Sequence, residues 1–132
     1  MGALGIWAPR VLSLLRIVAA LLFMEHGMMK LFHFPAAQPG LAPGALPPLL
    51  LVAACLEIVG GALILIGLFT RPVAFLLSGE MAVAYFLAHM RASPWPALNQ
   101  GDAAILFCWV FFYLVFAGGG AWSVDALVRK TA

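Results

Sequence analysis

Charge is what this sequence has least of. Seven Lys or Arg and five Asp or Glu supply all the formal charge of 132 residues, 9% of the chain, where soluble domains carry about one-quarter. That shortage excludes an ordinary water-soluble domain. The net charge of +2 comes from scattered single residues, and without a basic run there is no footprint for nucleic acid. Only two cysteines occur, Cys55 and Cys108, each inside an apolar run with no second Cys or His at metal-ligand spacing. They read as reduced, buried thiols behaving as small hydrophobes, and no metal site is expected. A serine elbow, a glycine-rich phosphate loop and a helical zinc motif are all missing. With no recognisable pair of nucleophile and base, no catalytic residue is assigned, and catalysis by this chain alone is not expected.

What is present in abundance is apolar surface: 65% hydrophobic residues and a mean hydropathy of +1.09. There is room for about four spans of roughly 20 residues and for no separate soluble domain. The expected fold is all-α, an integral membrane four-transmembrane-helix bundle in a single domain over 1–132. The spans are placed at about 11–32, 46–69, 72–90 and 102–118, followed by a short amphipathic C-terminal helix at 123–130. The first apolar stretch is read as a retained span rather than a cleaved signal, because Arg16, Glu25, His26 and Lys30 interrupt it or stand at its end.

Charged groups inside a span cost about 2.5 to 3.5 kcal/mol each at the helix centre on insertion scales, so they usually face protein or serve a function. At about 100° per residue, Arg16, Ala20, Phe23, Gly27 and Lys30 fall near one line of the first helix, with His26 at its edge. Glu25 points the other way, and a contact with another subunit is its expected role. The second span carries Glu57 on a face of small residues, Ala53, Gly60 and Gly61, where a neighbouring backbone can approach closely. The third carries Glu80 on one side and Ser78, Tyr85 and His89 on the other.

Arg16, His26, Lys30, Glu57 and Glu80 therefore form the candidate buried polar cluster or ligand site. Arg16 lies near one membrane surface and Lys30 near the other, so the two cannot share one acid. Ser78, Tyr85 and His89 form a secondary polar stripe. His26 and His89 stand toward the same end of parallel helices, but with no other ligand cluster beside them haem is not favoured. Trp109, Phe112, Tyr113 and Phe116 read as a packing stripe of the last span.

Between the first two spans, residues 33–48 hold five prolines, two glycines and no Lys or Arg, which makes them a connecting loop. Thr70-Arg71-Pro72 is a tight link, and Asp102 stands at the start of the last span, where an acid complements the helix dipole. The basic residues Arg10, Arg71, Arg129 and Lys130, with the shallow Arg16, fall on one side, and Lys30 and Arg91 on the other. The excess predicts both termini in the cytoplasm. Phe23-Met24-Glu25-His26 followed by Phe34-Pro35-Ala36 faintly echoes Phe86-Leu87-Ala88-His89 followed by Trp95-Pro96-Ala97, the mark of a duplicated two-helix unit.

These motifs together resemble the DoxX family of small bacterial membrane proteins. The likeness is carried by Phe-Met-Glu-His-Gly-Met-Met-Lys-Leu-Phe-His-Phe (23–34), Leu-Glu-Ile-Val-Gly-Gly (56–61) and Gly-Leu-Phe-Thr-Arg-Pro (67–72). Gly-Glu-Met-Ala-Val-Ala-Tyr-Phe (79–86) and Asn-Gln-Gly-Asp (99–102) complete it. Asp102 stands where Glu is expected to be commoner, and Met28-Met29 replaces more polar residues. The resemblance implies four membrane helices, a bacterial inner-membrane location, and functional interest in Gly27, His26, Lys30, Glu57, Gly60, Gly61, Arg71, Glu80, Asn99 and Asp102 without assigned roles. It also implies a link to redox complexes. The leading expectation is a membrane partner or quinone-interacting subunit of an oxidoreductase, quinone being the one cofactor considered, with a homo-oligomer as a further option. A small permease or lipid-handling protein, and a structural module with a buried ion-pair cluster, are the alternatives.

Overall fold

The computed structural model describes residues 2, 4–42 and 44–131; residues 1, 3, 43 and 132, among them one proline of the expected loop, lie outside the described part. Every regular element among the described residues is helical. Three helices are long and apolar enough to cross a membrane: Ala8–Phe32, Pro48–Ile66 and Thr70–His89. At 1.5 Å per residue these are about 37, 28 and 30 Å long, against about 30 Å of hydrocarbon. A fourth apolar helix, Asp102–Ala117, has 16 residues, about 24 Å. A single turn at Pro96–Asn99 precedes it, and the C-terminal helix Val124–Thr131 follows it.

The ends of these helices follow from a few backbone conformations. Gly67 is left-handed (φ 70°) and stops the second helix at Ile66, three residues before the apolar pattern ends. Phe69 is also left-handed, so the third helix begins at Thr70 and the tight link is Gly67–Phe69 rather than Thr70–Pro72. Pro9 and Pro48 occupy first-turn positions, where a missing N–H costs nothing. Two of the long helices contain one wider, π-helical turn, at Leu56–Gly60 around Glu57 and at Tyr85–His89. Such turns cluster at functional sites, and nothing in the residue pattern announced them.

Packing is antiparallel between neighbours. The first helix lies along the second, and Gly27 is where they meet most closely: a Cβ there would stand 3.0 Å from the Ala54 carbonyl oxygen and 2.7 Å from Ile58. Gly61 presses on Met24 in the same way, and Gly60 on Leu77 of the third helix. The third helix runs along the fourth, tied by Ser78, whose hydroxyl donates to the Cys108 carbonyl at 2.9 Å. Phe23 closes the ring with an edge contact to Phe111, 4.8 Å between centroids. The core is Ala20, Phe23, Ile64, Ala74, Leu77, Met81, Ala104, Phe111 and Leu114.

Two apolar expectations fail. Trp109, Phe112, Tyr113 and Phe116 are exposed at the outer surface, where Phe112 meets Trp109 and Phe116 edge to face, while Phe107, Phe111 and Leu114 do the packing. Cys55 is likewise exposed, and Cys108 half-buried. The reason is common to both: a helix that is apolar all round has no hydrophobic direction to reveal its inner face.

Candidate functional site

The first helix presents Arg16, Ala20, Phe23, Gly27 and Lys30 to the interior, with Ser13 and Ala19. Lys30 reaches across to the second helix, and its Nζ donates to both carboxylate oxygens of Glu57, at 2.7 and 2.6 Å. The two side chains are 8% and 4% exposed. Gly27 makes this possible, since the close approach of the backbones at that level brings Lys30 within reach of the π-helical turn carrying Glu57. Charge-assisted bonds of this length are the strong kind, and the pair is closed: each charge has its counter-charge.

Glu80 is different. Both carboxylate oxygens are buried, and among the described residues neither has a hydrogen-bond partner. Its charged neighbours are Glu57 and Lys30, so it belongs to the same centre without being bonded into it. Residues one turn away on its helix divide, Leu77 being buried and Leu76 and Val83 more than half exposed. Glu80 thus stands on the border between interior and outer surface.

Arg16 does not join this centre, and His26 stays at its edge, a charged neighbour of Glu57 with no bond to it. The Arg16 guanidinium, fully buried, is an anchor for carbonyl groups at the other end of the molecule. It donates to Gly119 O (2.8 Å), Trp122 O (2.6 Å), Ile64 O and Leu65 O. Among the described residues no acid accepts from it, because the second helix ends there and turns its last carbonyls toward it, Leu65 O and the Ile64 O that also accepts from Gly67 N. His26 is exposed; its Nδ1 pairs with the Leu22 carbonyl at 2.8 Å and its ring meets the edge of Phe107. Glu25 is half-buried and makes no hydrogen bond or ion pair among the described residues.

The secondary stripe divides too. Ser78 serves the contact with the fourth helix, whereas Tyr85 and His89 serve the loop before it. Asn99, 5% exposed, organises that loop. It accepts from Gly101 N at 2.8 Å, donates to Ser93 O at 2.8 Å and to the Tyr85 hydroxyl at 3.3 Å, and its carbonyl pairs with His89 Nδ1 at 3.0 Å. Asp102 is exposed in the first turn of the fourth helix. Arg71 donates to Val115 O at 3.2 Å, bridging the third and fourth helices.

Sequence reasoning missed the knot at the Arg16 end. Asp125 accepts from Phe69 N and Thr70 N, each at 2.9 Å, and so caps the third helix from the C-terminal helix. Partial burial would raise its pKa, but those backbone N–H groups and nearby Arg129 outweigh this and hold it below the usual carboxylate value. Ser13 accepts from Trp122 N at 3.0 Å, Ala121 N donates to Pro9 O at 3.0 Å, and the chain at Gly119 is too close to Ser123 and Thr70 for any side chain. A serine in a span and a triple glycine after it were the available signals.

Comparison with known proteins bears on the family and not on the roles of these residues. The DoxX family profile matches residues 11–90. An uncharacterized protein of Haemophilus influenzae is 43% identical over 128 residues, 95% of this chain and 96% of its own length. The uncharacterized membrane protein Rv3486 of Mycobacterium tuberculosis is 28% identical, covering 94% of this chain and 85% of its own length. The inner membrane protein YqjF of Escherichia coli is 29% identical, covering 87% and 89%. No solved structure matches.

Proposed function

This chain belongs to the DoxX family of membrane proteins, and from that premise we propose that it is a membrane partner of an oxidoreductase, holding a quinone-type molecule beside Lys30, Glu57 and Glu80. The observation that carries the reading is the Glu80 carboxyl, buried next to a closed ion pair and, among the described residues, without a hydrogen-bond partner. An unsatisfied buried polar group costs about 1 to 3 kcal/mol or more, so a ligand that completes it is favoured. A protonated carboxyl donates to a quinone carbonyl and an ionised one accepts from a quinol hydroxyl, so Glu80 suits both redox forms. Quinone reduction consumes protons, and the groups of this chain able to hold one there are Glu80 and Glu57, with Lys30 fixing the Glu57 carboxylate. The border position of Glu80 supports entry sideways from the bilayer. Four spans, an inner-membrane location and cytoplasmic termini belong to the same proposal, supported by the Arg10, Arg71, Arg129 and Lys130 cluster at one end.

A structural module is the second reading, favoured by the satisfied geometry of Lys30 and Glu57. Saturable binding of a short-chain ubiquinone analogue to the detergent-purified protein separates the two. Expected is binding that weakens about tenfold in Glu80→Leu, the loss of one buried hydrogen bond, and stays unchanged in Glu25→Gln. No saturable binding by the native protein would leave the structural reading standing.

A further inference from the structure

At the Arg16 end, the start of the first helix, the end of the fourth and the C-terminal helix border an open, shallow groove of about 480 Å³. Leu12 and Ala117 give it apolar walls, and Tyr113 and Arg129 also line it. Its backbone is already engaged: Pro9 O accepts from Ala121 N and from the Ser13 hydroxyl, and Gly120 O accepts from the Ser123 hydroxyl. Arg129 commits only its Nε, to Asp125 O at 3.2 Å. Among the described residues its two terminal nitrogens and the Tyr113 hydroxyl have no hydrogen-bond partner, so the groove pairs apolar walls with a cation and a hydroxyl donor.

Charge at this end is one-sided. Arg10, Arg71, Arg129 and Lys130 gather there, and the acid facing them is Asp125, already taken by Phe69 N and Thr70 N. Trp7 and Trp122, each about half exposed, mark the same level, which is where indole rings settle at a membrane surface. The groove therefore lies at headgroup depth, where an occupant meets hydrocarbon on one side and water on the other.

We propose that this groove binds one anionic phospholipid, its acyl portion against Leu12 and Ala117 and its phosphate accepting from Arg129 and the Tyr113 hydroxyl. The acyl part answers the apolar walls, the phosphate answers the two free donors, and net negative charge answers the unbalanced cations. A zwitterionic lipid offers the same phosphate but brings a second cation to the groove that Arg129 lines.

The test compares phosphatidylglycerol with phosphatidylcholine of equal chain length on the detergent-purified full chain, read by native mass spectrometry and by thermal midpoint. Expected is retention of one phosphatidylglycerol and a raised midpoint, with phosphatidylcholine giving neither. Retention falls about tenfold in Arg129→Gln, the loss of one charge-assisted contact, and stays at the native level in Arg91→Gln, whose residue stands at the opposite end. If Arg129→Gln melts lower without lipid, Tyr113→Phe decides instead, with weaker retention at an unchanged lipid-free midpoint. Equal retention of both lipids, an equal loss in Arg91→Gln, or full retention in Arg129→Gln and Tyr113→Phe would overturn the proposal.

Discussion

Removing one partner of the Lys30–Glu57 pair tests whether the closed pair is as dry as its geometry indicates. Both side chains are less than one-tenth exposed and Nζ touches both carboxylate oxygens. At a charge separation of about 4 Å and an effective dielectric constant near 20, the attraction is about 4 kcal/mol. Desolvating each ion costs several kcal/mol, so the intact pair contributes little net stability. Its half is another matter, because Glu57→Gln or Lys30→Met leaves an uncompensated buried charge, at a cost of about 3 to 5 kcal/mol.

The double variant Lys30→Met with Glu57→Gln removes both charges at similar volume and, with one neutral amide left buried, is expected to lose about 1 to 3 kcal/mol, no more than either single change. Equilibrium unfolding by SDS in mixed micelles, run on all four proteins, gives the coupling as a double-mutant cycle, expected to reach at least about 2 kcal/mol. Singles that lose less than about 1 kcal/mol each, with a double equal to their sum, would refute the reasoning. That outcome would mean that water or other polar groups replace the missing partner, as happens for many polar contacts between membrane helices.

Other consequences follow from single contacts. Arg16→Lys keeps the charge but loses the fork that reaches Gly119, Trp122, Ile64 and Leu65; it is expected to lose about 2 to 4 kcal/mol and to expose the 118–123 segment to limited proteolysis. Gly27→Ala forces the first and second helices apart, at about 1 to 3 kcal/mol in the same unfolding assay, whereas Gly79→Ala, with open space around the added methyl, gains up to about 1 kcal/mol from helix propensity. Asp125 has a folded pKa below its ordinary 3.8, so its stabilising contribution is complete above that value and is lost as pH falls through the lowered one. Asp125→Asn is expected to flatten the corresponding fall in thermal midpoint below about pH 4.

Much of this protein can be read from residue order alone. Scarce charge and long apolar runs determine a helical membrane protein, because a backbone in lipid must satisfy its own hydrogen bonds. A 3.6-residue period marks Arg16, Ala20, Phe23, Gly27 and Lys30 as the inner face of the first helix, since only the costly polar residues break the apolar uniformity. Linear order also recovers the family motifs. It cannot decide which cation meets which acid. Arg16 and Lys30 look alike in the pattern, yet one finds the last carbonyls where the second helix stops and the other finds Glu57, because helix register sets the level of each. Nor does it reveal that Glu80 has no hydrogen-bond partner among the described residues, that the aromatic stripe faces outward, or that Asp125 folds back 55 residues to cap the third helix. Those outcomes depend on how far each helix slides and turns against its neighbours, and in an all-apolar surrounding close contacts at Gly27, Gly60 and Gly61, rather than a hydrophobic direction, determine that fit.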